Sequence, residues 1–189
     1  MTAQPVDPQH IRAGAEYETI RAAAQDVVAE TRRRHRIDLG DRLSLVFETP
    51  DTLAAVLEET LRNERITDAD RVAAEVAGVN ATVPAAIGMA ASVYLDIADA
   101  AELVGAVAEI EGLAEHLYLE VAGNRTSAQV YGVEDEEPSP ATLVVFPLSA
   151  EQRRGWRQRG EVRLGVDHPV LHVETTLSDE QRSLLAPSL

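Results

Sequence analysis

Cysteine is absent from the 189 residues, which excludes disulfides, thiolate nucleophiles, Cys-ligated zinc and Cys-held iron–sulfur clusters. Lysine is absent as well, so arginine supplies all 17 basic residues. That removes Schiff-base chemistry and the phosphate-binding lysine of a P-loop. Apolar runs are short and broken by charge, far below the ~20 residues that a transmembrane helix needs. The start, MTAQPVDPQHIRAG, has neither the basic opening nor the apolar run of a secretory signal. The expectation is a soluble, cytoplasmic protein with no membrane segment.

Charge narrows the partners further. The formal net charge is −15 at pH 7, which disfavours nucleic acid because its phosphates need a basic face. One basic cluster, RRRHR at 32–36, follows a helical pattern in which Tyr17, Ile20, Ala24, Val27 and Thr31 recur at spacings of three and four. Cations in a last turn complement the negative end of a helix, so capping explains the cluster without a phosphate ligand. With 45% hydrophobic residues the chain suffices for one ordinary core, and residues 1–189 are read as a single domain.

At 42–48, RLSLVFE alternates as a strand, with Leu43, Leu45 and Phe47 on one face and Ser44, Val46 and Glu48 on the other. Thr49 then caps a helix that has Pro50 in its first position and carries Leu53, Val56, Leu57 and Leu61 inward. A second helix is predicted from Thr67 through Val72, Ala73 and Val76, closed by Asn80 as its C-cap. A strand at 90–97 and a helix from Asp99 to about Leu113 follow. HLYLEV at 116–121 turns through Gly123 and Asn124 into RTSAQVY, a hairpin. GVEDEEPSP at 132–140 reads as an exposed acidic loop. Strand-like TLVVFP precedes one capping box, Ser149 with Gln152, and VLHVETT precedes another, Ser178 with Gln181. Together with a strand at 161–166, these predict an α+β domain with about six strands in a mainly antiparallel sheet and helices packed on one side.

GVDHPVLHVE at 165–174 concentrates two of the five histidines. Its local explanation is a break between strands at Asp167 to Pro169. There Gly165 relieves crowding, Asp167 ties the turn by accepting amide bonds, and Pro169 fixes the exit. His172 and Glu174 share a strand face, as do His116, Tyr118 and Glu120. A carboxylate–histidine metal site would draw on Glu48, His116, Glu120, His168, His172 and Glu174, ligands that suit iron, manganese or zinc. The same spacing is also what a solvated sheet face presents. Glu48 could act as ligand or base, or pair with an arginine such as Arg62, whereas Glu59 and Arg62 lie three apart on one helix face.

Several patterns occur in a fixed order: Glu16-Tyr17, RRRHRIDLGDRLSLVFE, ETLRNERI at 59–66, Asn80, Pro84 and GVDHP. In this combination, which covers nearly the whole chain, the sequence resembles an uncharacterised bacterial family, domain of unknown function 3501. The resemblance assigns no reaction and no cofactor. It implies proximity to rubrerythrin-like and iron–sulfur oxidoreductase proteins, hence a redox or oxidative-stress setting. Arginine stands where the family's basic segment usually includes lysine, Val79 where an aromatic is common, and Thr142 where histidine or glutamine is frequent. The arginines keep the charge but change the hydrogen-bond geometry. Two readings result. One is a non-catalytic acidic accessory or adaptor protein that docks on an iron–sulfur oxidoreductase or rubrerythrin-like partner; the other is the carboxylate–histidine metal protein, possible enzyme included.

Overall fold

In the computed structural model, which describes residues 6–82, 88–97, 112–131 and 141–188, the strands pair into two antiparallel sheets. The first holds β1 (Arg36–Leu39), β2 (Leu43–Phe47), β3 (Gly88–Leu95), β6 (Gln129–Tyr131) and β7 (Ala141–Pro147), in the order β1-β2-β3-β7-β6. The second holds β4 (Leu117–Val121), β5 (Asn124–Ser127), β8 (Val162–His168) and β9 (Leu171–Thr176), in the order β5-β4-β8-β9. Five α-helices are described: α1 (Ala15–Arg34), α2 (Pro50–Asn63), α3 (Ala69–Thr82), α4 (Ala150–Arg157) and α5 (Asp179–Leu185). The α+β class with antiparallel pairing is therefore as the sequence predicts.

Alternation explains the main core. Leu43, Leu45 and Phe47 from β2 join Met89, Ala91, Val93, Val144 and Phe146 on the inner face of the first sheet. Leu117, Leu119, Val121, Val162, Leu164 and Val166 supply the inner face of the second, and all belong to one buried cluster. The Phe47 and Phe146 rings meet there with centroids 6.2 Å apart. Trp156 of α4 and Leu185 of α5 join the same cluster, and α4 contacts β4. All five residues of β2 are buried because its other face, with Ser44, Val46 and Glu48, is covered as well.

The described strands number nine in two sheets where about six in one sheet are expected, and the added ones have local causes. RIDL, read as the sequel of a helix end, forms β1 against β2, with Ile37 and Leu39 buried and Arg36 and Asp38 exposed. RTSAQVY is not one strand. It changes sheets at Ala128, whose N–H donates to Leu117 O at 2.9 Å, so β5 pairs with β4 and β6 with β7. The β4–β5 turn is Ala122-Gly123 rather than Gly123-Asn124, with φ of 50° and 81° and Val121 opposite Asn124. Both turn residues thus take the left-handed values that a two-residue hairpin requires. The predicted helix from Asp99 and the acidic loop at 132–140 lie outside the described residues.

A smaller cluster of Val6, Leu57, Leu61, Ile66, Val72 and Val76 joins α2 and α3 to the amino-terminal segment. Polar clamps surround it. Asn80 does not cap α3, which runs on to Thr82; its amide instead accepts from Val6 N and donates to Val6 O, both at 2.8 Å. Glu58, buried, accepts from Arg12 N, Nε and Nη2 at 3.0, 2.7 and 3.0 Å. Glu59 turns toward α1 and accepts from Tyr17, Arg21 and Gln25, while Arg62 pairs with Glu18. The expected Glu59–Arg62 helical pair is thus replaced by bonds between helices. Among the described residues, no helix is long and apolar enough to cross a membrane.

Candidate functional site

Five of the six residues singled out in the sequence lie on or beside the second sheet, and Glu48 lies apart from them. In β9, Leu171 and Val173 turn toward the core while His172 and Glu174 are exposed, as the alternation predicts. In β4, Leu117, Leu119 and Val121 go inward and Glu120 outward. Register aligns Glu120 with Arg125 on one side and Arg163 on the other. It also aligns Tyr118 with Gly165, which in turn opposes Glu174.

Gly165 lets these side chains meet. A Cβ at this position would lie 2.3 Å from Cζ and Oη of Tyr118, so the tyrosine ring lies directly across the glycine. From there its hydroxyl donates to Glu174 Oε2 at 2.7 Å. The Arg125 guanidinium carbon sits 3.6 Å from the Tyr118 ring centroid, a cation–π contact. Arg125 Nε also approaches Glu120 Oε2 at 3.5 Å, and Arg163 reaches Glu120 at 3.7 Å, Glu174 at 3.8 Å and also Glu161. Burial first, then the bond to Glu174, pushes the Tyr118 phenol up to about 12. At neutral pH it is therefore a hydrogen-bond donor and not a base.

The histidines have separate partners. His172 Nδ1 lies 2.8 Å from Asp167 Oδ1. His116 belongs to the 3₁₀ turn Leu113–His116 that leads into β4, not to the strand face, and its Nδ1 lies 3.0 Å from Asp167 O. His168 is buried at the carboxy-terminal end of β8, edge-on to His116 with ring centroids 4.9 Å apart, and its Nδ1 accepts from Val170 N at 3.4 Å. The break expected at Asp167 to Pro169 is narrower than the sequence suggests. Asp167 and His168 still pair in β8, and only Pro169 and Val170 turn the chain into β9. Asp167 accordingly serves His172 across the hairpin and not the turn amides. Gly165 relieves crowding as expected, and the crowding group is Tyr118.

Glu48 is held under α1. Its Oε1 accepts from Ser92 Oγ at 2.6 Å and lies 3.4 Å from Arg32 Nη2, so Arg32 and not Arg62 is its arginine. Its Oε2, Arg32 Nε and Ser44 Oγ are buried without a hydrogen-bond partner. Of the RRRHR segment, Arg32, Arg33 and Arg34 form the last turn of α1 and His35 its C-cap. The helix-end reading therefore stands, with Arg32 adding a tie to the sheet. Among the described residues, no three His, Asp or Glu side chains are gathered as a metal ion would require.

Tyr118, Arg125, Arg163 and Asp167 organise this face although sequence reasoning did not single them out as site residues. Period-two spacing places Tyr118 beside Glu120, but nothing local indicates that β4 and β8, more than forty positions apart, are neighbours. No curated protein matches the chain. A crystal structure of a protein of unknown function from Burkholderia pseudomallei K96243 is similar over 98% of this chain and 100% of its own, with a TM-score of 0.86 and 21% identity. At that identity the likeness concerns the fold. A family model described as "Protein of unknown function (DUF3501)" matches residues 5–189, and the chain belongs to that family.

Proposed function

We propose that the protein is a non-catalytic acidic accessory protein that docks on a redox partner through the outer face of its β5-β4-β8-β9 sheet. The observation that carries this reading is the lateral pairing of the outward side chains. Tyr118 with Glu174, His172 with Asp167, and Glu120 between Arg125 and Arg163 form a polar surface. Glu120, Glu161, Asp167 and Glu174 outnumber Arg125 and Arg163 there, in keeping with the net charge of −15. Such a face suits a basic patch on a partner, and charge complementarity of this kind chiefly accelerates and orients docking. The family resemblance supplies the partner class, an iron–sulfur oxidoreductase or rubrerythrin-like protein.

The test uses a purified iron–sulfur oxidoreductase or rubrerythrin-like protein from the same source. Binding at low ionic strength that weakens steeply with added salt, and weakens again in Glu120→Gln/Glu174→Gln, supports the docking reading. A protein that stays monomeric and captures neither partner at low salt refutes it. Metal analysis addresses the alternative. Stoichiometric iron, manganese or zinc that His168→Asn releases without unfolding the chain would favour the carboxylate–histidine reading instead.

A further inference from the structure

We propose that the cleft between α4 and α5 binds a phosphate dianion, either free or as the monoester of a small molecule, through Arg157, Arg159 and Arg182. The cleft is lined by these three arginines with Trp156, Asp179 and Ser183, and holds about 200 Å³. That is below the roughly 300–1,000 Å³ of pockets that enclose drug-sized ligands, so the occupant is small. Among the described lining residues, three guanidinium groups stand against the single carboxylate of Asp179, an excess of two positive charges in a chain of net charge −15. A dianion balances that excess and a monocarboxylate does not. Guanidinium forks also match the oxygens of phosphate in geometry.

The arginines are prepared to different degrees. Arg182 is anchored, since its Nη1 donates to Gly160 O at 2.6 Å and its Nη2 pairs with Asp179. Its Nε is buried without an acceptor, out of reach of a ligand in the cleft. Arg157 and Arg159 are exposed at the rim, which leaves both free to close on an anion. Complementing the negative end of α4 would account for Arg154 and Arg157, both in its last turn. Arg159 follows the C-cap at φ 61° and closes the helix end, its N–H donating to Trp156 O at 3.0 Å. The helix end does not account for Arg182, which arrives from α5.

Trp156, the sole tryptophan, lines the cleft and donates from Nε1 to Arg182 O at 3.0 Å, so its fluorescence reports on the site. The full chain is titrated with inorganic phosphate, glycerol phosphate, acetate and sodium chloride at matched ionic strength, by fluorescence and by calorimetry. The expected result is saturable binding of phosphate or glycerol phosphate, and the tighter of the two identifies the free or the esterified source. Arg157→Gln/Arg159→Gln should weaken binding about tenfold or more, as loss of charge-assisted hydrogen bonds does, with an unchanged circular dichroism spectrum. Asp179→Asn, which removes the competing carboxylate, should tighten it. The proposal is overturned by a response that follows ionic strength alone, by acetate binding as tightly as phosphate, by an unaffected double arginine variant, or by silence in both measurements. The site is separate from the sheet face of the docking reading, and its test involves no partner protein.

Discussion

A methyl group added at position 165 would meet the Tyr118 ring at 2.3 Å, well inside van der Waals contact. Gly165→Ala must therefore push the ring aside and break its bond to Glu174. Chemical denaturation should show a loss of ~1–3 kcal/mol, the usual range for overpacking. The loss should shrink when Tyr118→Ala is already present, because the two positions share one contact. The tyrosines also report their surroundings by titration. Burial, then bonds to Glu59 and Glu174, pushes the Tyr17 and Tyr118 phenols up to about 12. A pKa raised in the folded state means that the stability from the neutral phenol is complete below the ordinary value of about 10. It is lost as pH rises toward about 12. Phenolate absorbance should show a late-ionising component to which Tyr17 and Tyr118 contribute, and Tyr118→Phe should reduce it. Absence of any late component would contradict the burial of both rings.

The two capping boxes look alike in sequence yet act in different surroundings. Ser178 and Gln181 exchange bonds at the exposed start of α5. Ser149 and Gln152 do the same at α4, but Gln152 is buried and its Nε2 also donates to Asn124 O at 3.0 Å, tying α4 to the β4–β5 hairpin. Replacing Ser178 with alanine should cost ~0.5–2 kcal/mol, as for other N-caps. Gln152→Ala should cost more than Gln181→Ala by about 0.5–1.5 kcal/mol, the worth of the added hydrogen bond. Equal losses in the two glutamine variants, measured by thermal or chemical unfolding, would show that the tie to the hairpin contributes nothing. The clamps between helices follow the same logic. Tyr17, Arg21 and Gln25 converge on Glu59 from successive turns of α1, so the long exposed α1 is held to α2 by polar bonds.

At the scale of the whole molecule, two apolar clusters coexist: the large one between the sheets and the smaller one of α2, α3 and the amino-terminal segment. Reading residues 1–189 as one domain leads to a definite expectation. Leu61 is fully buried in the smaller cluster, and Leu61→Ala should cost ~2–5 kcal/mol. Because Thr49 leads directly from β2 into α2, and Arg32 of α1 reaches Glu48 at the end of β2, the loss should appear in a single cooperative transition. Two resolved transitions, of which only one responds to Leu61→Ala, would show that the helical layer unfolds by itself.

Periodicity alone makes most of the elements legible. The two-residue alternation of RLSLVFE and VLHVETT determined which side chains face the main core, and the serine–glutamine boxes and Thr49-Pro50 determined where three helices begin. Composition likewise excluded thiolate and lysine chemistry. Each of these rests on local physics: side-chain direction along a strand, orphan amides at a helix start, or the mere absence of a functional group. What only the tertiary structure decided is long-range. That RTSAQVY divides between two sheets depends on what Ala128 meets at Leu117. That Asn80 clamps Val6, and that Glu48 takes Arg32 and Ser92, depends on chain segments brought together from a distance. The site shows the same division. Alternation placed His172 and Glu174 outward, but their bonds to Asp167 and to Tyr118 come from the β4-β8-β9 register. Register is set by the packing of whole sheets, which no short stretch of sequence encodes.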